Sequence, residues 1–303
     1  MKIVATSPSF SKNTELQQEI YKYFPDAKLN LDGIRFSKDE LIKFIGDADG
    51  VIVGLETIDD EVIKACPNLK IISKYGVGLN NIQFENRDVK IGWVGGVNRL
   101  SVAEMTLGYM LMLSRNLYTT SNQLKSGTWN KSGGTQLSGK TIGIIGVGYI
   151  GKEVIRLLKP FGCKILVNDI IEQDLYYKSA NVEEVNFETL LKESDFVTIH
   201  TPFDDSTQSL ISTKEFQIMK NSAFILNSAR GGIIDEIALK LAIQTGEIAG
   251  GAIDAYIEEP PTDSELLKLP NLITTPHIGG NSKEAIELMG MSAIRNLKEF
   301  FNV

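Results

Sequence analysis

Histidine, cysteine and long apolar runs are all scarce in this chain of 303 residues. Its two histidines, His200 and His277, are the only side chains whose unperturbed charge changes between about pH 5 and 8. If the protein performs acid–base chemistry near neutral pH, one of these two is therefore the expected proton carrier.

The other scarcities exclude whole classes of protein. Cys66 and Cys163 lie far apart without metal-ligand spacing, so we expect reduced thiols in a cytoplasmic protein and no metal site. No run approaches the ~18 apolar residues of a membrane span, and the apolar run of "MKIVATSPSF" is too short for a signal peptide. The net charge of -7, without a lysine and arginine cluster, argues against nucleic acid as a partner.

The sequence from Thr141 onwards alternates short apolar runs with segments of helical periodicity. "TIGII", "KILVN", "DFVTIH" and "SAFILN" indicate strands, and the segments between them indicate helices. Such alternation is typical of a parallel sheet built from βαβ units.

The first ~98 residues alternate in the same way, but more weakly. "KIVAT", "GVIVG" and "LKIISKY" indicate strands, yet the first is followed by "SPSFSKN" rather than by a glycine motif. We therefore predict two α/β units, of which only the second can bind a dinucleotide.

A methionine-rich segment connects the two units. Ser101 and Glu104 match a capping box, which predicts the start of a long helix. The region 101–116 is apolar around most of its circumference, so it is either buried or shared with a second subunit. We favour the second interpretation, a homodimer interface.

A glycine motif follows the strand "TIGII" and begins a predicted helix. Gly146, Gly148 and Gly151 have the G-x-G-x-x-G order of a dinucleotide-binding turn. The first permits the turn, the second admits the pyrophosphate and the third allows close helix packing. The backbone N–H groups of Tyr149 and Ile150 are then available to the phosphates.

An acidic residue lies where such a turn requires one, at the end of the next strand. Asp169 follows "KILVN" about 20 residues after the glycines, where a carboxylate accepts hydrogen bonds from ribose hydroxyls and repels a 2′-phosphate. Ile170 and Ile171 provide no cation for that phosphate. The sequence therefore predicts NAD rather than NADP.

Three further segments follow predicted strands of the same unit. Arg230 lies in "NSARGGIIDE", Glu258 and Glu259 lie in "DAYIEEPP", and His277 lies in "TTPHIGG". Ligands of open parallel sheets bind beyond the carboxyl ends of the strands. We therefore expect these side chains to converge where the nicotinamide binds.

These motifs, in this order and spacing, resemble the D-2-hydroxyacid dehydrogenase family, particularly its phosphoglycerate-dehydrogenase-like branch. "KYGVGLNNI" and "GGVNRLSVAE" are similar to its substrate-loop and hinge motifs. The resemblance implies an α/β fold of two domains, a Rossmann-type NAD-binding domain (99–280) inserted into a flavodoxin-like substrate domain (1–98 plus 281–303). It also implies an active site between the domains and a homodimer.

The resemblance assigns three catalytic roles. Arg230 resembles the arginine that binds the substrate carboxylate and polarises the carbonyl. His277 resembles the acid/base that takes the hydroxyl proton as hydride leaves C2. Glu259 resembles its carboxylate partner, which favours the imidazolium, whereas Glu258 is one residue off and is expected to be solvated. His200 is assigned a structural role.

The resemblance also gives ligand contacts residue by residue. The positions matched to the cofactor are Gly146, Gly148, Tyr149, Ile150, Gly151, Asp169, Thr201, Ser228, Ala229, Arg230, Asp254, His277, Gly279 and Gly280. Asp254 is expected to hold the nicotinamide amide. The positions matched to the substrate are Tyr75, Gly76, Val77, Gly78, Asn98 and Arg230.

Phosphoglycerate dehydrogenases usually carry an arginine that binds the substrate phosphate just after the strand "GVIV", and this sequence lacks that arginine. Here the strand is followed by Gly54, Leu55 and Glu56, which disfavours a phosphorylated substrate, although Lys74 or Arg99 could substitute. The chain ends at Val303, so we expect no C-terminal regulatory domain.

The function predicted is reversible hydride transfer between a small 2-hydroxy acid or 2-oxo acid and NAD. Alternatives of the same fold are phosphoglycerate dehydrogenase and a phosphite-oxidising enzyme. A formate-dehydrogenase-type enzyme is disfavoured because it carries glutamine in place of Glu259. An alternative of another class is an NAD-sensing, corepressor-like binding protein.

Overall fold

The computed structural model describes residues 1–85 and 88–303, which form two compact units. Unit 1 comprises Met1–Asn98 with Asn281–Val303, and unit 2 comprises Arg99–Gly280. Each unit contains its own parallel sheet with helices, so the predicted α/β class is confirmed.

Unit 1 is built on a parallel sheet of order β2-β1-β3-β5-β7, which is the flavodoxin-like arrangement. Alternate strand residues enter two separate apolar cores, as a sheet covered on both faces requires. Its strands are β1 (Ile3–Ala5), β2 (Lys28–Leu29), β3 (Gly50–Val53), β4 (Ile58–Asp59), β5 (Ile71–Lys74), β6 (Ile82–Gln83) and β7 (Lys90–Gly92). Its helices before residue 99 are α1 (Pro8–Ser11), α2 (Thr14–Tyr23), α3 (Lys38–Ile45) and α4 (Asp60–Ala65).

Unit 2 is built on a parallel sheet of order β10-β9-β8-β11-β12-β13-β14, which is the Rossmann arrangement extended by one strand. Its strands are β8 (Thr141–Ile145), β9 (Lys164–Asn168), β10 (Glu183–Glu184), β11 (Phe196–Ile199), β12 (Phe224–Asn227), β13 (Gly250–Ile253) and β14 (Leu272–Thr274). Its helices are α5 (Arg99–Ser114), α6 (Leu117–Lys125), α7 (Tyr149–Leu158), α8 (Asp174–Ala180), α9 (Phe187–Glu193), α10 (Thr213–Ile218), α11 (Glu236–Thr245) and α12 (Ser264–Leu267).

The strand order places a switch point between β8 and β11, where consecutive connections leave the sheet in opposite directions. Ligands of doubly wound sheets bind at the carboxyl ends of the strands beside such a point. The glycine motif and the three charged segments all follow strands of this sheet, at that edge.

The last helix, α13 (Lys283–Phe301), returns to unit 1 and packs against α2 and β5. Its buried face includes Met289, Ile294 and Leu297, and Ser73 of β5 donates a hydrogen bond to the carbonyl of Ala293 at 2.7 Å.

The helix predicted over 101–116 is present, but it begins differently from the prediction. Helix α5 begins at Arg99, so Ser101 lies inside it and the predicted capping box at Ser101 is wrong. The helix ends at Ser114, and Asn116 adopts a left-handed conformation with φ +53° before α6 begins. The predicted helix over 101–116 is therefore present as α5, which begins two residues earlier and ends two residues earlier than expected.

Across the described residues, no helix combines the length and the apolar character required to cross a bilayer. In the same residues, no group of three or more histidine, cysteine or acidic side chains could hold a metal ion.

Candidate active site at the carboxyl edge of the unit 2 sheet

The glycine motif forms the turn between β8 and α7, and each glycine meets a different steric demand. Gly146 has φ +88°, and a side chain there would lie 2.8 Å from the carbonyl of His200. A Cβ on Gly151 would lie 2.2 Å from the carbonyl oxygen of Gly146, so this position requires close packing. Nothing lies within 4 Å of a Cβ on Gly148, which leaves space beside the start of α7.

Asp169 lies directly after β9 and faces this turn. Its carboxylate accepts hydrogen bonds from the backbone N–H of Val147 at 2.6 Å and of Ile171 at 2.9 Å. A carboxylate has about four acceptor sites, so two remain for ribose hydroxyls. The neighbouring Ile170 is 99% exposed, and the loop offers no cation at this position.

Two buried polar atoms at this edge have no hydrogen-bond partner within the described residues. They are Oγ1 of Thr201 and Nδ1 of His200, both just beyond β11. Buried polar groups are nearly always satisfied in proteins, so unsatisfied ones indicate a ligand or water. Together with the open space at Gly148, they fit a dinucleotide bound across this edge.

His200 itself is deeply buried. Its Nε2 lies 3.0 Å from Oγ1 of Thr198, and burial lowers its pKa to about 3. An imidazole that stays neutral across the working pH range does not exchange protons there, which supports the structural role expected of His200.

The burial of His200 predicts that the folded protein is less stable at acidic pH. An unfolded chain protonates His200 below its ordinary pKa of ~6.5, whereas the folded chain does not until about pH 3. The free energy of unfolding should therefore fall as the pH drops from ~6.5, with His200 contributing a loss of ~2 kcal/mol between pH 7 and pH 5. Urea unfolding at pH 7 and pH 5 would measure this loss. The free energy of unfolding of His200→Gln should fall less between the two pH values than that of the wild type. Equal falls in the two proteins would contradict the burial of a neutral His200.

His277 and Glu259 form a direct pair. The Nδ1 atom of His277 lies 2.8 Å and 2.9 Å from the two carboxylate oxygens of Glu259. Both side chains are about two-fifths exposed, at 42% and 41%. The carboxylate therefore orients the ring and leaves Nε2 as the nitrogen pointing away from Glu259. Glu258 contacts Thr262 instead, at 3.2 Å.

Arg230 lies on the adjacent strand end and is held by its own loop. The side chain of Asn227, the last residue of β12, accepts from the N–H of Ala229 at 3.0 Å and donates to the carbonyl of Arg230 at 2.8 Å. Burial lowers the pKa of Arg230, while the charge of Glu259 opposes that shift. The two charges therefore interact, and the guanidinium remains a cation.

The Arg230 loop and the Glu259 loop pack directly on each other. A Cβ on Gly231 would lie 1.8 Å from the carbonyl oxygen of Tyr256, a contact that only glycine permits. Glu236 accepts a hydrogen bond from the N–H of Ile257 at 2.7 Å, which fixes the second loop to α11. The structure thus brings together the charged side chains of three strand ends.

The predicted cofactor positions lie on this same edge. They are Gly146, Gly148, Tyr149, Ile150 and Gly151 after β8, Asp169 after β9, Thr201 after β11, Ser228, Ala229 and Arg230 after β12, Asp254 after β13, and His277, Gly279 and Gly280 after β14. Asp254 is buried, and its carboxylate accepts hydrogen bonds from Thr275 at 2.6 Å, Ile278 at 2.9 Å and Gly279 at 2.8 Å. Its contact with the nicotinamide amide stays a prediction.

The predicted substrate positions in unit 1 follow β5. They are Tyr75, Gly76, Val77 and Gly78, with Asn98 as the last residue of the unit's first segment. Lys74, which precedes this loop, is buried and donates to the Gly54 carbonyl and to Asn81. Glu56 accepts from the N–H of Gly54 at 2.7 Å. Lys74 therefore binds the segment after β3, where phosphoglycerate dehydrogenases carry the phosphate-binding arginine and this chain does not.

Sequence reasoning missed the supporting residues Asn227, Glu236, Tyr109 and Thr275. An asparagine at the end of a buried strand before "SARGG" is a turn signal that could have identified Asn227. The others act through partners distant in sequence, and no local pattern indicates them.

Comparison with known proteins agrees with this geometry. Residues 107–279 match the family model described as "D-isomer specific 2-hydroxyacid dehydrogenase, NAD binding domain". A hydroxypyruvate reductase of Thermotoga maritima is 37% identical over 89% of this chain and 90% of its own length. A D-3-phosphoglycerate dehydrogenase of Methanocaldococcus jannaschii is 35% identical over 99% of this chain, but the match spans only 57% of that longer protein.

Among solved structures, a D-lactate dehydrogenase with NAD+ from Lactobacillus jensenii superposes with a TM-score of 0.80 at 28% identity. The match covers 100% of this chain and 97% of that one. The family model and the fit of the glycine turn identify NAD as the cofactor. The chain therefore belongs to the D-isomer specific 2-hydroxyacid dehydrogenase family of NAD-dependent oxidoreductases.

Proposed function

We propose that this protein catalyses reversible hydride transfer between NAD and C2 of a small 2-hydroxy acid, with His277, Glu259 and Arg230 as its catalytic residues. The observation that carries the proposal is the contact of His277 with both carboxylate oxygens of Glu259, beside Arg230 at the dinucleotide edge. Bound NAD supplies the hydride acceptor, and NADH the donor in the reverse direction.

The chain's own residues handle the proton and the charge. Nε2 of His277 takes the proton from the C2 hydroxyl during oxidation and returns it during reduction. Glu259 stabilises the imidazolium that forms and holds the ring through Nδ1. Arg230 binds the substrate carboxylate with its planar fork and stabilises charge on the C2 oxygen.

We propose that the loop Tyr75–Gly78 of unit 1 and Asn98 complete the binding of the substrate. The segment that follows β3 carries Glu56 and an exposed Leu55 where related phosphoglycerate dehydrogenases carry an arginine. A carboxylate repels a substrate phosphate. The substrate proposed is therefore an unphosphorylated 2-oxo acid, such as the hydroxypyruvate of the Thermotoga relative's name.

Purified protein tested with NADH against a panel of 2-oxo acids, followed by loss of NADH absorbance, would test this function. Glyoxylate, hydroxypyruvate, pyruvate and bulkier acids should include at least one good substrate, and 3-phosphohydroxypyruvate should be poor. Efficient use of 3-phosphohydroxypyruvate would favour a phosphoglycerate dehydrogenase, and oxidation of phosphite with NAD would favour a phosphite-type enzyme. Binding of NADH without any turnover would favour the corepressor-like alternative.

Asp169 is proposed to select NAD over NADP, because its carboxylate binds ribose hydroxyls and repels a 2′-phosphate. Asp169→Ala should lower the ratio of kcat/KM for NADH to that for NADPH by about 10-fold or more. Glu188→Ala, which removes an exposed acid from α9 in the same unit, is the matched control and should leave the ratio unchanged. Equal ratios in wild type and Asp169→Ala would refute the role.

A homodimer is proposed through α5, α6 and the segment that follows them. Leu117, Leu124 and Trp129 are 51%, 56% and 78% exposed, and with Met112 and Tyr118 they border a groove of about 860 Å³. Exposed apolar surface of this kind is typical of an interaction site. Sedimentation at the mass of a monomer would refute this proposal. The two unpaired cysteines suit the proposed cytoplasmic location.

A further inference from the structure

One face of α5 supports the turn that carries His277. Ser101, Met105 and Tyr109 are spaced four residues apart, so they lie along one side of the helix. Ser101 donates to the carbonyl of Gly279 at 2.6 Å, and the hydroxyl of Tyr109 contacts Oγ1 of Thr275. The helix therefore contacts the chain on both sides of His277.

The direction of the hydrogen bonds follows from counting protons. A carboxylate only accepts, so the 2.6 Å contact between Thr275 and Asp254 requires Thr275 to donate its single hydroxyl proton. Tyr109 must then donate its single proton to Thr275 rather than to the weaker acceptor Sδ of Met105, which lies 3.3 Å away. Burial raises the pKa of Tyr109 above its ordinary value, so its hydroxyl keeps the proton that this chain needs. Chained hydrogen bonds of this kind reinforce one another.

The His277 turn needs such support because its backbone is strained. His277 has φ +53°, a left-handed conformation that is unfavourable for an L-residue other than glycine. Such conformations persist only where surrounding contacts enforce them. Asp254 accepts from the N–H groups of Ile278 and Gly279, after the histidine, and from Thr275 before it. Asp254 thus holds both sides of the strained residue.

Helix α5 also contacts the loop of Arg230. Oγ1 of Thr106 lies 3.1 Å from Oγ of Ser228, two residues before Arg230. One helix therefore contacts two of the three segments that carry the proposed charged residues, those of Arg230 and His277.

We propose that Tyr109 is a positioning residue of the reaction, whose buried hydroxyl holds the His277 turn through Thr275 and Asp254. The inference rests on the proposed function of His277. Tyr109 does not touch substrate or cofactor in this role. It acts by keeping the imidazole aligned with the C2 hydroxyl, and misalignment of reacting groups is costly even when all of them are present.

The test is Tyr109→Phe, which removes one oxygen and keeps the ring in the core. We expect kcat to fall about 10-fold, while NADH still binds and the protein stays folded. The solvent deuterium isotope effect on kcat should rise, because proton transfer becomes slower than the other steps. The control is Tyr177→Phe, which removes an equally buried hydroxyl from the same apolar core and should leave kcat unchanged.

Nuclear magnetic resonance gives a second readout, because the chain has only two histidines. The imidazole signals of His277 should move in Tyr109→Phe, and those of His200 should stay in place. A matched pair at position 275 tests the same chain of hydrogen bonds. Thr275→Ser keeps the hydroxyl and should retain kcat, whereas Thr275→Val should lose about as much as Tyr109→Phe, with no further loss in the double variant.

These experiments separate a failure of the positioning role from a failure of the proposed function. Wild-type kcat and unmoved His277 signals in Tyr109→Phe would overturn the positioning role, and so would equal losses in Thr275→Ser and Thr275→Val. A loss of kcat that comes with a loss of folded structure, measured by circular dichroism, would also overturn it, since the loss would then not be specific to the His277 turn. If His277→Ala retains turnover, the proposed function fails whatever the result at Tyr109. If His277→Ala is inactive and Tyr109→Phe is normal, only the positioning role fails.

Discussion

Replacement of His277 by alanine should lower kcat by about 10²–10⁴-fold in both directions of the reaction while NADH still binds. The imidazole is the proposed carrier of the C2 hydroxyl proton, and the only other histidine in the chain is buried and neutral. The glycine turn between β8 and α7 is a separate segment, so the cofactor should still bind.

Steady-state kinetics with the best 2-oxo acid, together with NADH fluorescence titration, would measure both effects. The neighbouring acids provide a matched pair, because Glu259 contacts His277 whereas Glu258 contacts Thr262. Glu259→Gln should lose a substantial part of kcat, and Glu258→Gln should behave as wild type. Turnover by His277→Ala within a few-fold of the wild type would exclude this histidine as the acid/base.

Replacement of Arg230 by lysine should lower kcat/KM for the 2-oxo acid by about 10²–10³-fold although the positive charge is kept. A guanidinium offers parallel N–H donors that match a carboxylate, whereas an ammonium is a point charge on a flexible chain. The loop around Arg230 has one fixed geometry. The side chain of Asn227 is hydrogen-bonded to the N–H of Ala229 and to the carbonyl of Arg230, and Gly231 packs against Tyr256. A lysine cannot reproduce the fork from that backbone.

The effect should appear as a higher KM for the acid and a lower kcat, with NADH affinity nearly unchanged. Arg156→Lys is the control, because this arginine lies exposed on α7 and pairs with Glu153. Equal kcat/KM values for Arg230→Lys and Arg156→Lys would show that Arg230 does not bind the substrate carboxylate.

The strand-end segments illustrate what could be predicted without the fold. "GVGYIG", "NSARGG", "IEEPP" and "TTPHIGG" each combine a reactive or permissive residue with the end of an apolar run. Because parallel strands end at one edge, placing each segment after a strand is enough to predict that their side chains converge. The pairing of His277 with Glu259, rather than Glu258, rested on resemblance, and the structure shows the contact directly.

The helix region 101–116 shows what such reasoning leaves out. A continuous apolar pattern indicates one helix, and α5 (Arg99–Ser114) matches it to within two residues at each end, but the pattern placed the helix start wrongly at Ser101. A sequence pattern describes which side chains a helix could bury and not which of its faces another segment will cover. The stripe of Ser101, Met105 and Tyr109 is therefore recognisable only when the chain near Gly279 is seen packed on it.

The α/β class, the dinucleotide turn and the identity of the charged side chains at the sheet edge follow from the amino-acid sequence alone, since they depend on periodicity and turn chemistry within a few residues. The left-handed conformation of His277 and the contacts that hold it come from tertiary packing. Tyr109 and Thr275 are 166 positions apart in the sequence, and Asp254 and Gly279 are 25 positions apart. Such contacts are fixed by how whole elements pack, so no local stretch of sequence encodes them.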